Sequence, residues 1–280
     1  MCLLSRPVAF GGWQCLTTFG ISRAKIHSMS SRRPIAPRRT GAPFLRHVAS
    51  DPDDFDTTLY PFNIPAFSKG IDISFDNTVT FFVGENGSGK STLLEALAEC
   101  CGFNAEGGNR DHRQAFEERS AFAQALRLSW QPKVVEGFFM RAESFYNFAS
   151  YLDGVSDFRA YGGRSLNAQS HGESFLSLFN HRFEQGLYIL DEPEAALSPQ
   201  RQLSFLRIIH DLATPGHAQF LIATHSPIIL SYPGAVIFSL DDGDIRQVDY
   251  RETKHFLVTR DFLNSPESFF KHLFAKSDED

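Results

Sequence analysis

A chain of 280 residues that is 42% hydrophobic and 21% charged has enough apolar sequence for one sizeable core. No run reaches the roughly 18 to 20 uninterrupted apolar residues of a membrane-crossing helix, so direct membrane insertion is not expected. The four cysteines (Cys2, Cys15, Cys100, Cys101) form no CxxC pair, and the ten histidines no HExxH spacing; this argues against a zinc site and favours a reducing, cytoplasmic setting.

Charge is uneven along the chain. Residues 1–50 hold eight basic and no acidic side chains, which leaves 19 of the 27 basic residues against all 33 acidic ones, a formal net of −14. Such an acidic body argues against broad nucleic-acid binding, although a local basic groove is compatible with it. The segment 1–40 is rich in Ser, Arg, Gly and Pro and is expected to be a disordered basic extension. Its composition is read first as a start placed upstream of a true one at Met29, with a transit peptide and a nucleic-acid-binding arm as the alternatives.

From Ile71 the pattern "IDISFDNTVTFFV" reads as a strand, a tight turn at Asp76-Asn77, and a buried strand Val79–Val83. "GENGSGKSTLLEALAECCG" follows: glycines first, then Leu93, Leu94, Leu97 and Ala98 at helical spacing, ended by Gly102. Residues 103–165 form an insert with a polar loop, a short helix at "FAQALRLSW", a strand at "KVVEGFFM" and a helix at "ESFYNFASYL". "QSHGESFL", residues 169–176, opens a helix with Phe175, Phe179 and Phe183 four residues apart. "LYIL" is a buried strand leading into "DEPEAALSPQRQ". There Ser198-Pro199 caps a helix whose stripe is Leu203, Leu206, Ile209 and Leu212. "QFLIATHSP" is another buried strand, "AVIFSL" and "DIRQV" a hairpin, and 251–280 a helical tail containing "SPESFFKHLF". Alternating strands and helices predict an α/β fold with a mainly parallel sheet, and Gly84, Asp191 and His225 stand at the C-terminal ends of three of its strands.

The segment Gly84 to Ser91 matches G-x-x-x-x-G-K-[ST] in full, between a strand and a helix. Gly84, Gly87 and Gly89 let the backbone of Glu85, Asn86 and Ser88 curl so that N–H groups point inward around a phosphate. The helix that begins near Lys90 and Thr92 adds its positive end. Lys90 would reach the β- and γ-phosphates, and the Ser91 hydroxyl would hold Mg²⁺. About 100 residues on, Asp191 ends a hydrophobic strand and provides the second metal anchor. Glu192, adjacent to it, is the natural general base or water-positioning group. His225 ends a further strand, where it can contact the γ-phosphate and couple it to Glu192.

Together these pieces resemble the ATP-binding-cassette ATPases over about Phe44 to Val248, and within them the small AAA-type ATPases of the chromosome-maintenance and recombination-repair branch. Gly84–Ser91 matches Walker A, Leu187–Asp191 with Glu192 matches Walker B and the catalytic glutamate, and His225 the switch histidine. "EAALSP" resembles the D-loop, with Ser198 where Asp is usual. "QSHGE" stands at the signature loop: Ser170 and Gly172 match, while His171 and Glu173 depart from the pattern. In the family this loop closes on ATP held by a second subunit, so the resemblance implies an ATP-dependent head-to-tail homodimer. The Q-loop glutamine has no counterpart after "GFFM", where Arg141, Glu143 and Ser144 stand. Tyr60 and Phe62 are candidates to stack on adenine. The implied domains are 1–40, an ATPase domain over 44–250 and a tail over 251–280. The implied activity is Mg²⁺-dependent hydrolysis of ATP. Alternatives are a nucleotide-gated binding module with incidental hydrolysis and the ATPase subunit of a membrane transporter. The client, DNA or protein, is not legible.

Overall fold

The computed structural model describes residues 41–104, 107–108, 119–141, 175–177, 179 and 184–275. The 1–40 extension, Phe183, "ESFYNFASYL" and the loop carrying Ser170 and Gly172 lie outside the described residues.

The central sheet has six strands: β3 (Val79–Val83), β5 (Gly137–Arg141), β6 (Gly186–Asp191), β7 (Ala218–Ala223), β8 (Val236–Ser239) and β9 (Arg246–Val248). Their order is β5-β6-β7-β3-β8-β9, every neighbouring pair being parallel except β8-β9. β3, β6 and β7 are buried at every position, as strands covered on both faces must be. Their side chains alternate accordingly. Phe81, Tyr188, Leu190, Phe220 and Ile222 pack into one cluster with Phe175, Phe179 and helix α3 (Pro199–Ala213). Phe82, Leu187, Ile189 and Leu221 pack into another with α1 (Lys90–Cys101), on the opposite face.

That second cluster also takes in a small antiparallel sheet, β2-β1-β4, built from β1 (Leu45–Ser50), β2 (Ile71–Ser74) and β4 (Arg127–Trp130). The first strand has no clear alternation of its own and escapes the sequence reading. β2 and β3 do not pair with each other: the chain crosses from the small sheet to the large one at Asp76-Asn77, and β2 pairs with β1. "FAQALRLSW" divides into a short helix α2 (Ala121–Ala125) and β4, because Phe122 and Ala123 are drawn into the core while the next four residues join the edge of β1. The stripe of α3 is also rotated from expectation. Gln202, Phe205, Ile209 and Ala213 are its buried residues, and Leu203 is 52% exposed. Pattern reading passed over Gln202 as polar, but its amide is satisfied inside, donating to Leu197 O at 3.1 Å and accepting from Ser226 Oγ at 2.5 Å.

Beyond β7 come α4 (Pro227–Leu230), the β8-β9 hairpin and two C-terminal helices, α5 (Lys254–Asn264) and α6 (Pro266–Leu273). Only the second of these was foreseen as a distinct helix. The parallel register puts Arg141, Asp191, Ala223, Phe82 and Phe238 in one row across five strands. The chain segments that leave those strands therefore emerge side by side at one edge of the sheet.

Gln219, wholly buried in β7, ties the two sheets together. Its Oε1 accepts from Phe44 N and Leu45 N, both at 2.8 Å, and its Nε2 donates to Leu45 O at 2.9 Å. Gln219→Leu leaves two buried N–H groups without an acceptor. At roughly 1–3 kcal/mol for each orphaned group, the variant should lose about 3 kcal/mol of stability. Urea titration checks this, with an unchanged slope expected; a midpoint equal to the parent's would mean that the small sheet needs no such tie.

Candidate functional site

The loop from Gly84 to Gly89 fills the edge between β3 and α1. Two of its glycines are sterically required. Gly84 sits at φ +155°, and a Cβ there would lie 2.6 Å from Ser88 Oγ. Gly89, at φ +101°, would put a Cβ 2.7 Å from the Phe67 ring beneath it. The loop closes on itself through Ser88 N–H to Glu85 O at 3.1 Å, leaving Glu85, Asn86 and Gly87 as an exposed tip. Glu85 N–H donates to Asp241 Oδ1 at 2.9 Å. Asp241 follows β8 and was not foreseen; one acidic residue after a hairpin strand carries no sequence signal.

Lys90 opens α1 and is only 4% exposed. Its ammonium donates to Gly84 O at 2.8 Å and Glu85 O at 3.1 Å, across the mouth of the loop. Burial pushes its pKa down, and Glu192, Asp191, Asp241 and Glu85 push against that. A buried cation held by carbonyls and surrounded by acids is a site arranged for exchange of negative charge.

Asp191 ends β6 and is 5% exposed. Burial raises its pKa to about 6; the Ser91 hydroxyl and the Arg141 guanidinium oppose the shift, and Glu192 and Glu95 add to it. Arg141 Nε stands 3.6 Å from Asp191 Oδ2, and its Nη1 is 2.5 Å from Glu95 Oε1. A cation thus occupies the strand end where a Q-loop glutamine was sought. Asp191 Oδ1 is buried with no hydrogen-bond partner. A solvent-shielded carboxylate oxygen beside a serine hydroxyl is a hard-oxygen pair suited to one edge of a Mg²⁺ shell.

Glu192 takes a left-handed backbone, φ 52° and ψ 52°, which is uncommon for a residue with a side chain. Its N–H is tied to Ala223 O at 2.9 Å, so the turn is fixed against β7. Its side chain meets His225, whose Nε2 is 3.4 Å from Glu192 Oε1. His225 is itself clamped from two sides. Its backbone N–H donates to Glu194 Oε1 at 2.5 Å, and Glu194 Oε2 accepts from Thr224 Oγ1 at 2.8 Å. His225 Nδ1 lies 2.7 Å from Nε2 of His255, in the first turn of α5. Glu194 and His255 were both missed: the first lay within a stretch read only for its D-loop likeness, and the second is a lone histidine in the tail.

Of the predicted site residues, Gly84 to Thr92, Asp191, Glu192 and His225 therefore gather at one sheet edge, while Ser170 and Gly172 lie outside the described residues. The two aromatic candidates part company. Phe62 is core, stacked on Phe55 with ring centroids 4.0 Å apart. Tyr60 is 70% exposed and its hydroxyl is 3.2 Å from Thr92 Oγ1, at the start of α1.

Two protein-family models match the chain. One, described as "AAA domain", covers residues 62–140; the other, described as "AAA domain, putative AbiEii toxin, Type IV TA system", covers residues 174–231. No curated protein matches. Among solved structures, the SMC head domain from Thermotoga maritima is 18% identical with a TM-score of 0.44, over 74% of this chain and 99% of that one. CbiO1 from Clostridium perfringens, part of the ABC transporter complex cbiONQ, is 17% identical with a TM-score of 0.42, over 74% and 91% of the respective chains. An SMC head bound to the C-terminal winged-helix domain of ScpA is 13% identical, with a TM-score of 0.45 over 74% and 98%. This chain's glycine loop, its mainly parallel sheet and the matches to two AAA-domain models over parts of the chain support a P-loop ATPase. Among the described residues no helix is long and apolar enough to cross a membrane.

The raised pKa of Asp191 has a signed consequence for stability. The folded carboxyl holds its proton up to about pH 6, whereas an unfolded one releases it near 3.8. The folded state binds the extra proton between those values, so stability falls as pH rises through that window and stays lower above it. Asp191→Asn should therefore stabilise the metal-free protein at pH 8 by up to about 3 kcal/mol and give no gain below pH 3.8. Chemical denaturation at both pH values, with chelator present, tests this; equal effects at the two would contradict a buried carboxylate under strain.

Proposed function

We propose that the protein binds ATP with Mg²⁺ at the Gly84–Ser91 loop, hydrolyses it to ADP and phosphate, and closes head to tail with a second copy while ATP is bound. The observation that carries this reading is the convergence of Lys90, Asp191, Glu192 and His225 on one edge. Asp191 keeps a buried oxygen without a partner, and Glu192 is held in a left-handed turn facing His225.

In this reading the loop amides and the end of α1 receive the β-phosphate, and Lys90 Nζ shifts part of its bonding from Gly84 O and Glu85 O to the β- and γ-oxygens. Ser91 Oγ and Asp191 Oδ1 are the groups that would hold Mg²⁺, which neutralises charge on the phosphates when bound. Tyr60 offers an exposed ring on the adenine side. Glu192 orients a water and accepts its proton as oxygen attacks the γ-phosphorus; the bond to the β–γ bridging oxygen breaks, and ADP carries away the electron pair. His225 stands beside both groups as the contact to the γ-phosphate. Ser170 and Gly172 of a second copy would close the site with a hydroxyl and bare backbone amides. Nucleotide state would then set whether two subunits are joined or apart, a switch of the order-by-γ-phosphate kind. In the same reading the ATPase domain spans 44–250, after a basic extension over 1–40 and before a helical tail over 251–280.

Glu192→Gln keeps the shape and removes the base. It should lower kcat by roughly 100-fold or more while leaving ATP affinity near the parent's, and it should prolong an ATP-dependent dimer seen by light scattering. Unchanged turnover would remove Glu192 from the chemistry; slowed turnover with no dimer at any ATP concentration would leave the hydrolysis and discard the pairing.

A further inference from the structure

The strongest feature that the ATPase motifs leave unused is the second histidine behind His225. His255 lies in the first turn of α5, and its ring meets the His225 ring with centroids 4.8 Å apart and Nε2 to Nδ1 at 2.7 Å. The start of α5 is held firmly. Thr253, 3% exposed, caps it by accepting from Phe256 N at 3.3 Å and itself donates to Tyr250 O at 2.8 Å. A capping box joins Asp249 and Glu252 in the turn before it, and the Tyr250 hydroxyl donates to Pro227 O at 3.0 Å, two residues past His225. Lys254 Nζ stands 3.5 Å from Asp241 Oδ2, the same carboxylate that holds the loop at Glu85. The histidine pair is therefore set by backbone anchored on both sides.

Proton positions follow from the heavy atoms. Ring nitrogens 2.7 Å apart share a single proton, because two lone pairs repel and two N–H groups collide. If His225 donated it, His255 would carry its own N–H on Nδ1, which is buried without an acceptor. A neutral His225 would then also turn a lone pair towards Glu192 Oε1. If His255 Nε2 donates instead, its buried Nδ1 holds only a lone pair, and the proton of His225 moves to Nε2, facing Glu192. Either arrangement leaves one buried N–H outside a hydrogen bond, at His255 Nδ1 or at His225 Nε2; the latter has the Glu192 carboxylate 3.4 Å away to offset it, so the second arrangement is favoured. Burial lowers the pKa of His255, His225 and Lys90 act in the same direction, and Glu85 and Asp241 oppose them.

We infer that His255 is a positioning residue for the hydrolysis reaction: by donating from Nε2 to His225 Nδ1 it fixes His225 as the Nε2–H tautomer, with its donor aimed between Glu192 and the γ-phosphate. The inference rests on the proposed role of His225. It makes the C-terminal helices part of the nucleotide site, since His225 is ordered from behind by a residue 30 positions further along the chain.

Two measurements decide it. In the wild-type protein, long-range ¹H–¹⁵N spectra of labelled histidines should show His225 protonated on Nε2 and bare on Nδ1; a proton on Nδ1 overturns the inference with no variant required. In steady-state assays, His255→Leu should lower kcat about tenfold or more, comparable with other outer-shell orienting groups. KM for ATP should stay within about twofold, and His255→Gln, which restores an N–H donor, should recover most of the loss. In a His225→Ala background His255→Leu should cost nothing further, because its partner is gone. An equal cost in both backgrounds, or His255→Gln as poor as His255→Leu, would reduce His255 to a packing residue. A wild type without turnover would sink the hydrolysis reading itself, and the tautomer would still be settled by the spectra.

Discussion

A lysine ammonium held 4% exposed among carbonyls and carboxylates is the constraint on which the rest of the site depends. A buried cation is tolerated only if its surroundings replace the water it has lost. Here two loop carbonyls bond it, and four acids lie within electrostatic range. Bringing those acids to one lysine requires that distant segments of the chain finish at the same height. The parallel register does this, since β3, β6, β7 and β8 are aligned so that Gly84, Asp191, Thr224 and Asp241 follow in one band. The cost of the arrangement is visible in Asp191, whose pKa is lifted to about 6 by the same burial that leaves one of its oxygens without a partner. Both groups are strained in directions that a polyphosphate and a divalent cation would relieve together.

The layers around that edge explain why it is stiff. Each central strand feeds alternate side chains into two separate clusters, one against α3 and one against α1 and the small sheet, so no strand can slide without disturbing both. Gln219 and Gln202 are buried amides that join elements across these layers. His225 inherits this rigidity: Glu194 grips its backbone, Ser226 beside it is bonded to Gln202, and His255 meets its ring. In the proposed reading such fixing keeps donors in place before substrate arrives, where preorganised dipoles contribute most.

Much of the site was legible because its chemistry is local in sequence. The eight residues from Gly84 to Ser91 bring both the backbone bends and the charged group within one turn, and the "LYILDE" stretch joins its strand to two carboxylates directly. What escaped reading depends on contacts that link remote segments. Asp241 lies 156 residues from the amide it accepts from, and His255 and Glu194 matter only through the residue they hold. Arg141 was seen at the right strand end, but its pairing with Asp191 and Glu95 needed the sheet order. The fold was read well where both faces of a strand are buried and poorly at the margins. β1 has no strong pattern, and α3 turns towards Phe205 because a satisfied glutamine can occupy the core as a leucine would.

The central claim is that Lys90 and the loop around it hold the triphosphate. The most direct test is calorimetric titration of Mg·ATP into the wild-type protein and into Lys90→Ala, after confirming that the variant keeps the parent's far-UV spectrum. The account predicts measurable binding by the wild type and a loss of about 100-fold or more in the variant, on the scale of a buried charge-assisted contact. Equal affinity for the two proteins would contradict it.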